Sequence, residues 1–150
     1  MALKDKRAQQ VAEVAEPHLR DGERVELVAF AGVGTVSLKR RAVTAAVTTV
    51  ASAGLLTTYV RPRRMYIALT QDRLLFFNGD TSFGKPGRQV LMNIPRRLVT
   101  VAQVKRGLVT LKVQLEIEGQ EKGLKLVFPR PAREEGHQLA SEIPAARQPV

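Results

Sequence analysis

The apolar positions change period along the chain. In residues 3–16, Ala8, Val11, Ala12 and Ala15, with Leu19 beyond, recur at helical spacing while Glu, Lys, Arg and Gln fill the other face, which predicts a helix. Pro17 ends or bends it, and RDGE (20–23) reads as a turn. From Arg24 the period shortens, and RVELVAFAG predicts a strand ending at Gly32. MYIALT (65–70) and RLLFFN (73–78) are short apolar runs joined through Gln71 and Asp72, the pattern of a tight hairpin. NGDTSFGKPG (78–87) is a loop, and QVLMNI (89–94) and LVTVAQV (98–104) predict strands on either side of Pro95.

The clearest alternation lies in LVTLKVQLEIEG. Val109, Leu111, Val113, Leu115 and Ile117 alternate with Thr110, Lys112, Gln114, Glu116 and Glu118, giving one core face and one wet face. EGQEKG (118–123) turns the chain into the strand LKLVFP (124–129). PAREEGHQLASEIP (131–144) predicts a last helix: Pro131 suits its first turn, Glu134 and Glu135 complement the positive end of its dipole, and Pro144 stops it. Leu139, Ala140 and Ile143 form its apolar stripe, and Gly136 costs it about 1 kcal/mol of helix propensity. The order is helix, about seven strands, helix. The links between strands are too short for parallel crossovers, so the strands are expected to be antiparallel.

One stretch resists this reading. The nineteen residues Ala42–Val60 are uncharged and lie between Lys39, Arg40, Arg41 and Arg61, Arg63, Arg64. A membrane span needs about twenty mainly apolar residues. Here only six are Val or Leu, contributing about −3 kcal/mol at roughly −0.5 kcal/mol each, which five threonines and a serine largely cancel. Three readings stay open: a helix packed by its small residues, a loop, or a membrane-touching loop in which Leu55, Leu56 and Tyr59 dip in while the flanking cations hold headgroups.

At 150 residues and 44% apolar content the chain is one ordinary domain with enough material for a core. It has no cysteine, which excludes a disulfide scaffold, a thiolate zinc site and a cysteine nucleophile and suits a reducing compartment. The N-terminus lacks an apolar signal region and has Ala2 where myristoylation needs glycine, and the C-terminus lacks a prenylation box, so a cytoplasmic location is expected. The net charge of +10 is unevenly placed. Residues 1–38 carry five basic and six acidic side chains, residues 39–107 thirteen and two, and residues 108–150 six of each. A positive field concentrated in the middle of the chain attracts lipid headgroups, nucleic acid or acidic protein surfaces.

Catalytic patterns are missing. His18 and His137, the two histidines, are far apart on expected helix surfaces and have no evident partners for metal or general-base work. GVGTVS (32–37) has Ser37 where a dinucleotide fingerprint needs glycine, and FGKPG (83–87) has Pro86 where a phosphate loop needs Ser or Thr. No metal site, cofactor or enzyme activity is expected. Nucleic acid is a weaker partner than a lipid surface, because Phe30, Tyr66, Phe76 and Phe77 fall on strands, leaving Tyr59 and Phe83 as exposed stackers.

MYIALTQDRLLFF resembles the central hairpin of bacterial pleckstrin-homology-like and GRAM-like domains, in which an aliphatic strand ends in Leu-Thr, a polar turn includes Asp and Arg, and an aromatic-aliphatic strand follows. The residues that carry the likeness are Leu69, Thr70, Asp72, Arg73, Leu74, Leu75, Phe76 and Phe77. The later order of NIPRRLVTVAQV, a long alternating strand, a hairpin and one helix is similar too. The resemblance implies a mainly β fold: a bent antiparallel barrel of about seven strands, plugged at one end by the C-terminal helix. It divides the chain into an N-terminal helical extension (1–22), the domain (23–144) with an insertion at about 33–63, and a tail (145–150). Members of such families commonly bind lipid headgroups, peptides or proteins and are not enzymes.

The expectation is therefore a binding module, peripheral on the inner face of the membrane. Its anionic surface would be held by Lys39, Arg40, Arg41, Arg61, Arg63 and Arg64, with Arg96, Arg97, Lys105 and Arg106 nearby. An acidic protein partner or a self-associating scaffold, hence a homo-oligomer, is the alternative.

Overall fold

The computed structural model describes residues 2–37, 63–80, 85–120 and 122–145. Lys39, Arg40, Arg41, Leu55, Leu56, Tyr59 and Arg61 lie outside them, as does the tail beyond Ala145.

Helix α1 (Ala2–Ala15) is followed by seven strands: β1 (Val25–Ser37), β2 (Arg63–Thr70), β3 (Arg73–Asn78), β4 (Val90–Pro95), β5 (Val99–Arg106), β6 (Leu111–Ile117) and β7 (Lys122–Phe128). Helix α2 (Arg133–Glu142) comes last, entered through a short 3-10 turn at Arg130–Ala132. The protein is mainly β. All seven strands join one antiparallel sheet in the order β4-β3-β2-β1-β7-β6-β5.

β1 organises the fold. It pairs with β2 through Val25–Val33 and with β7 through Gly32–Ser37, so the two ladders overlap at Gly32 and Val33. The strand thus continues five residues past the Gly32 end expected from sequence, and GVGTVS (32–37) is its second half. Residues 33–37 accordingly belong to the sheet and not to the insertion.

The bend brings the inner faces of both halves onto one core. Ile67, Leu69, Leu74, Phe76 and Ile94 from one half meet Leu111, Val113, Leu115, Leu124, Leu126 and Phe128 from the other; α2 adds Leu139, and Ile143 just past its end joins them. Each such side chain contributes about 1.5–3 kcal/mol when fully buried. α1 covers the outer face of the β1–β4 half, where Val11 and Ala15 pack against Tyr66, Ala68, Leu75 and Phe77. β2 and β3 are therefore buried on both sides, which is why their sequences read as continuous apolar runs.

The sheet does not close into the expected barrel. β4 and β5 are its two edges, and the single 3-10 turn Arg96–Leu98 between them makes a corner. The place of a closing strand beside β5 is taken by the chain leaving α2: Val101 N–H donates to the Pro144 carbonyl at 2.8 Å and Val101 bridges Ala145. A second correction concerns β6, which starts at Leu111. Val109, expected in the core, is 58% exposed, because Gly107–Thr110 closes a tight hairpin and residue 109 sits in its loop.

Candidate functional site: a basic sheet face

The strongest polar cluster is internal. The β2–β3 turn presents Thr70 and Arg73 toward Glu23, which ends the turn after α1. Arg73 donates from Nη2 to Glu23 Oε1 at 2.6 Å and from Nε to Oε2 at 3.0 Å. Thr70 Oγ1 donates to Oε2 at 2.6 Å and accepts the Asp72 and Arg73 amides, and the Arg20 amide donates to Oε1. The Arg73 guanidinium, with help from Thr70 and the Arg20 amide, outweighs burial and holds the Glu23 carboxyl at about 2, well below its usual 4.5. A buried carboxylate held at both oxygens by an arginine, a hydroxyl and an amide is a strut. The polar residues of the central hairpin thus build the fold. Gln71 adds to the same seam, accepting from the Arg24 amide and donating to the Gly22 carbonyl. Glu23 was missed in sequence, where it reads as one more turn residue; the signal was two polar residues, Thr70 and Arg73, at the inner ends of apolar runs.

Arg96 is likewise turned inward. Its guanidinium donates to Glu26 and to the Thr70 carbonyl from Nη1, and to the Glu142 carbonyl and carboxylate from Nη2. It clamps β1, the end of β2 and the end of α2 together, and so differs from the headgroup ligand expected from charge alone. Its neighbour Arg97 is exposed.

Arg63, Arg64, Lys105 and Arg106 are exposed, but they do not form one cluster. Arg63 and Arg64 open β2, Lys105 and Arg106 end β5, and Arg97 lies before the far end of β5, about 25 Å away along a strand of eight residues. Lys105 and Arg64 are linked by a single transverse row of cross-strand partners, Lys105–Lys112–Val127–Gly32–Arg64. Directly opposed residues share a face. Since Leu111, Val113, Leu126, Ala31 and Met65 face the core, this row lies on the outer face. The next row, Gln103–Gln114–Lys125–Gly34, adds Lys125.

The outer face of β5–β7 thus carries Lys105, Lys112 and Lys125 against the carboxylate of Glu116, and α1 does not pack on it. In sequence Lys112 is one of the wet positions of the alternating strand and Lys125 carries no such expectation; the register sets Lys112 opposite Lys105 and Lys125 in the adjoining row. Two lysines directly opposite each other, as Lys105 and Lys112 are, oppose folding. An anion over the face relieves that repulsion.

A second feature is a cavity of about 610 Å³ beside β1. β1 has β7 as a neighbour only from Gly32 onward, so its edge along Glu26–Phe30 opens onto a groove lined also by Arg7, Tyr66, Pro131 and Glu135. Among the described residues no three His, Asp or Glu side chains are placed to hold a metal ion. No helix of the described residues is long and apolar enough to cross a membrane. No protein-family model matches the chain, and a search of curated proteins found none similar to it.

Proposed function

We propose that the chain is a non-catalytic, pleckstrin-homology-like binding module that meets an anionic lipid surface, peripherally and from the cytoplasmic side. The observation that carries this reading is the directly opposed pair Lys105–Lys112, with Lys125 in the adjoining row. The fold gains nothing from opposed lysines, whereas an anionic surface gains about 1 kcal/mol from each cation held near it. Arg64 extends the row around the bend, whereas Arg106 and Arg63, which oppose the core residues Leu111 and Val33, flank it from the other face. Seven antiparallel strands with a C-terminal helix in the core support the resemblance read from MYIALTQDRLLFF. Nucleic acid fits less well. Tyr66, Phe76, Phe77 and Phe128 are buried and the half-buried Phe30 packs against Tyr66, an arrangement that offers bases little to stack on.

The test is co-sedimentation with neutral and anionic vesicles at low and high salt, with duplex DNA as competitor. Binding restricted to anionic vesicles, weakened by salt and persisting against DNA supports the reading; equal partition to neutral vesicles, or none to either, overturns it.

The groove beside β1 favours a second reading, a protein-interaction module. An unpaired strand edge over an apolar groove suits an added extended segment. Chemical-shift changes confined to Glu26–Phe30 on titration with an acidic protein partner, and absent with vesicles, would favour it.

A further inference from the structure

The β5–β6 hairpin ends in an apolar tip. The Gly107 amide donates to the Thr110 carbonyl at 2.9 Å, which leaves Leu108 and Val109 as the two loop residues. Tight hairpin loops favour Asn-Gly or Asp-Gly, so this pair is not what the turn asks for. Leu108 is 98% exposed and Val109 58%, and Val104, on the strand leading to them, is 40% exposed. These are the large exposed apolar side chains of the described residues. Cations surround them: Lys105 faces Lys112, Arg106 faces Leu111, and Arg133 of α2 donates to the Leu108 carbonyl at 3.3 Å. No Asp or Glu occurs anywhere from residue 81 to residue 115.

An apolar point with a ring of positive charge behind it is amphipathic along the hairpin axis. We propose that Leu108 and Val109 are a membrane-inserting tip, which enters the acyl boundary of an anionic bilayer while Lys105, Arg106 and Lys112 hold its headgroups. The inference rests on the anionic-surface reading and adds to it the element that penetrates. A bilayer suits this tip better than a protein does. Protein hot spots are aromatic or arginine anchors in pockets, with Leu and Val under-represented, whereas a soft interface accepts a small protruding aliphatic pair. The charges also suit it, since apolar burial and attraction to acidic lipid add together.

Two variants test this. Leu108→Asn with Val109→Gly installs the residues that the turn prefers and removes the apolar surface, so the fold should be retained or slightly stabilised. Its partition onto phosphatidylglycerol-containing vesicles should fall about tenfold relative to the unsubstituted chain. Leu108→Trp places the sole tryptophan in the chain at the tip. Its emission should shift to the blue, and be quenched by brominated acyl chains, with anionic vesicles. Neutral vesicles, and inorganic phosphate as a charge without an apolar interior, should leave it unchanged.

If the unsubstituted chain binds anionic vesicles and the double variant binds as well, the tip does not insert, and the proposal fails while the surface reading stands. If the unsubstituted chain binds no vesicle, both fail. A chain that is dimeric in solution and becomes monomeric in the double variant would assign the tip to a second copy instead, and overturn insertion.

Discussion

Arg73 and Glu23, fifty residues apart in sequence, form a buried two-point ion pair, 2.6 Å from Nη2 to Oε1 and 3.0 Å from Nε to Oε2. The pair joins the β2–β3 hairpin to the turn that leads into β1, and Arg73 also reaches the His18 carbonyl at 2.8 Å. Removing one partner leaves the other charge buried and unmatched, which costs about 3–5 kcal/mol. Arg73→Met should therefore lower the midpoint of denaturant unfolding markedly, and Arg97→Met, at an exposed position, should not.

The same pair sets an acid limit. Glu23 titrates at about 2 in the folded chain against its usual 4.5. A carboxyl depressed by folding contributes stability above its unfolded value, and that contribution is lost as pH falls toward the folded value. The shift corresponds to about 3 kcal/mol. Stability measured from pH 6 to about pH 2 should decline through this window, and Glu23→Gln, less stable at neutral pH, should show a shallower decline.

Arg96 ties three elements together, so its loss should loosen the end of α2. Arg96→Ala is expected to cost about 1–2 kcal/mol, since its partners are partly exposed. Faster amide exchange at Leu139–Ile143 would locate the effect; unchanged exchange there would contradict the clamp.

Gly136 gives α2 poor helix propensity for a packing reason. A Cβ there would stand 2.5 Å from the Phe128 ring, whose side chain is fully buried. Gly136→Ala gains about 1 kcal/mol of propensity but overpacks the core by about 1–3 kcal/mol. The variant should melt at a lower temperature than the parent, the reverse of an ordinary helix substitution.

These residues show what was legible in the sequence. The period-2 alternation of Leu111–Ile117 and the apolar runs of β2 and β3 announced one wet strand and a hairpin, because burial is written in side-chain type; the cover on both faces of that hairpin came with α1, whose packing no run of residues declares. The continuation of β1 through Gly32 and Gly34 was hidden, because glycine carries no burial signal and its place in a strand is decided by the neighbours on both sides. The role of Arg96 was hidden for a related reason: a lone arginine looks alike whether it faces solvent or four carbonyl and carboxylate groups brought together from β1, β2 and α2. Exposure of Leu108 and Val109 was masked by the alternation that runs into them, which the hairpin turn cuts at Thr110. The basic face was half legible. Charge placement pointed to Lys105 and Arg106, but only the strand register sets Lys112 opposite and Lys125 in the next row.

The basic face yields the most direct test. Lys105 opposes Lys112, so Lys112→Glu alone should leave the fold as stable as before, or more stable by about 0.2–1 kcal/mol, while weakening anion binding. The decisive measurement is co-sedimentation of the unsubstituted chain and the Lys105→Glu/Lys112→Glu/Lys125→Glu variant with anionic vesicles, with melting temperatures recorded alongside. The account predicts that the unsubstituted chain pellets with anionic vesicles and not neutral ones, and that the folded triple variant stays in the supernatant. A triple variant that pellets as the parent does, or a parent that pellets with neither, would contradict it.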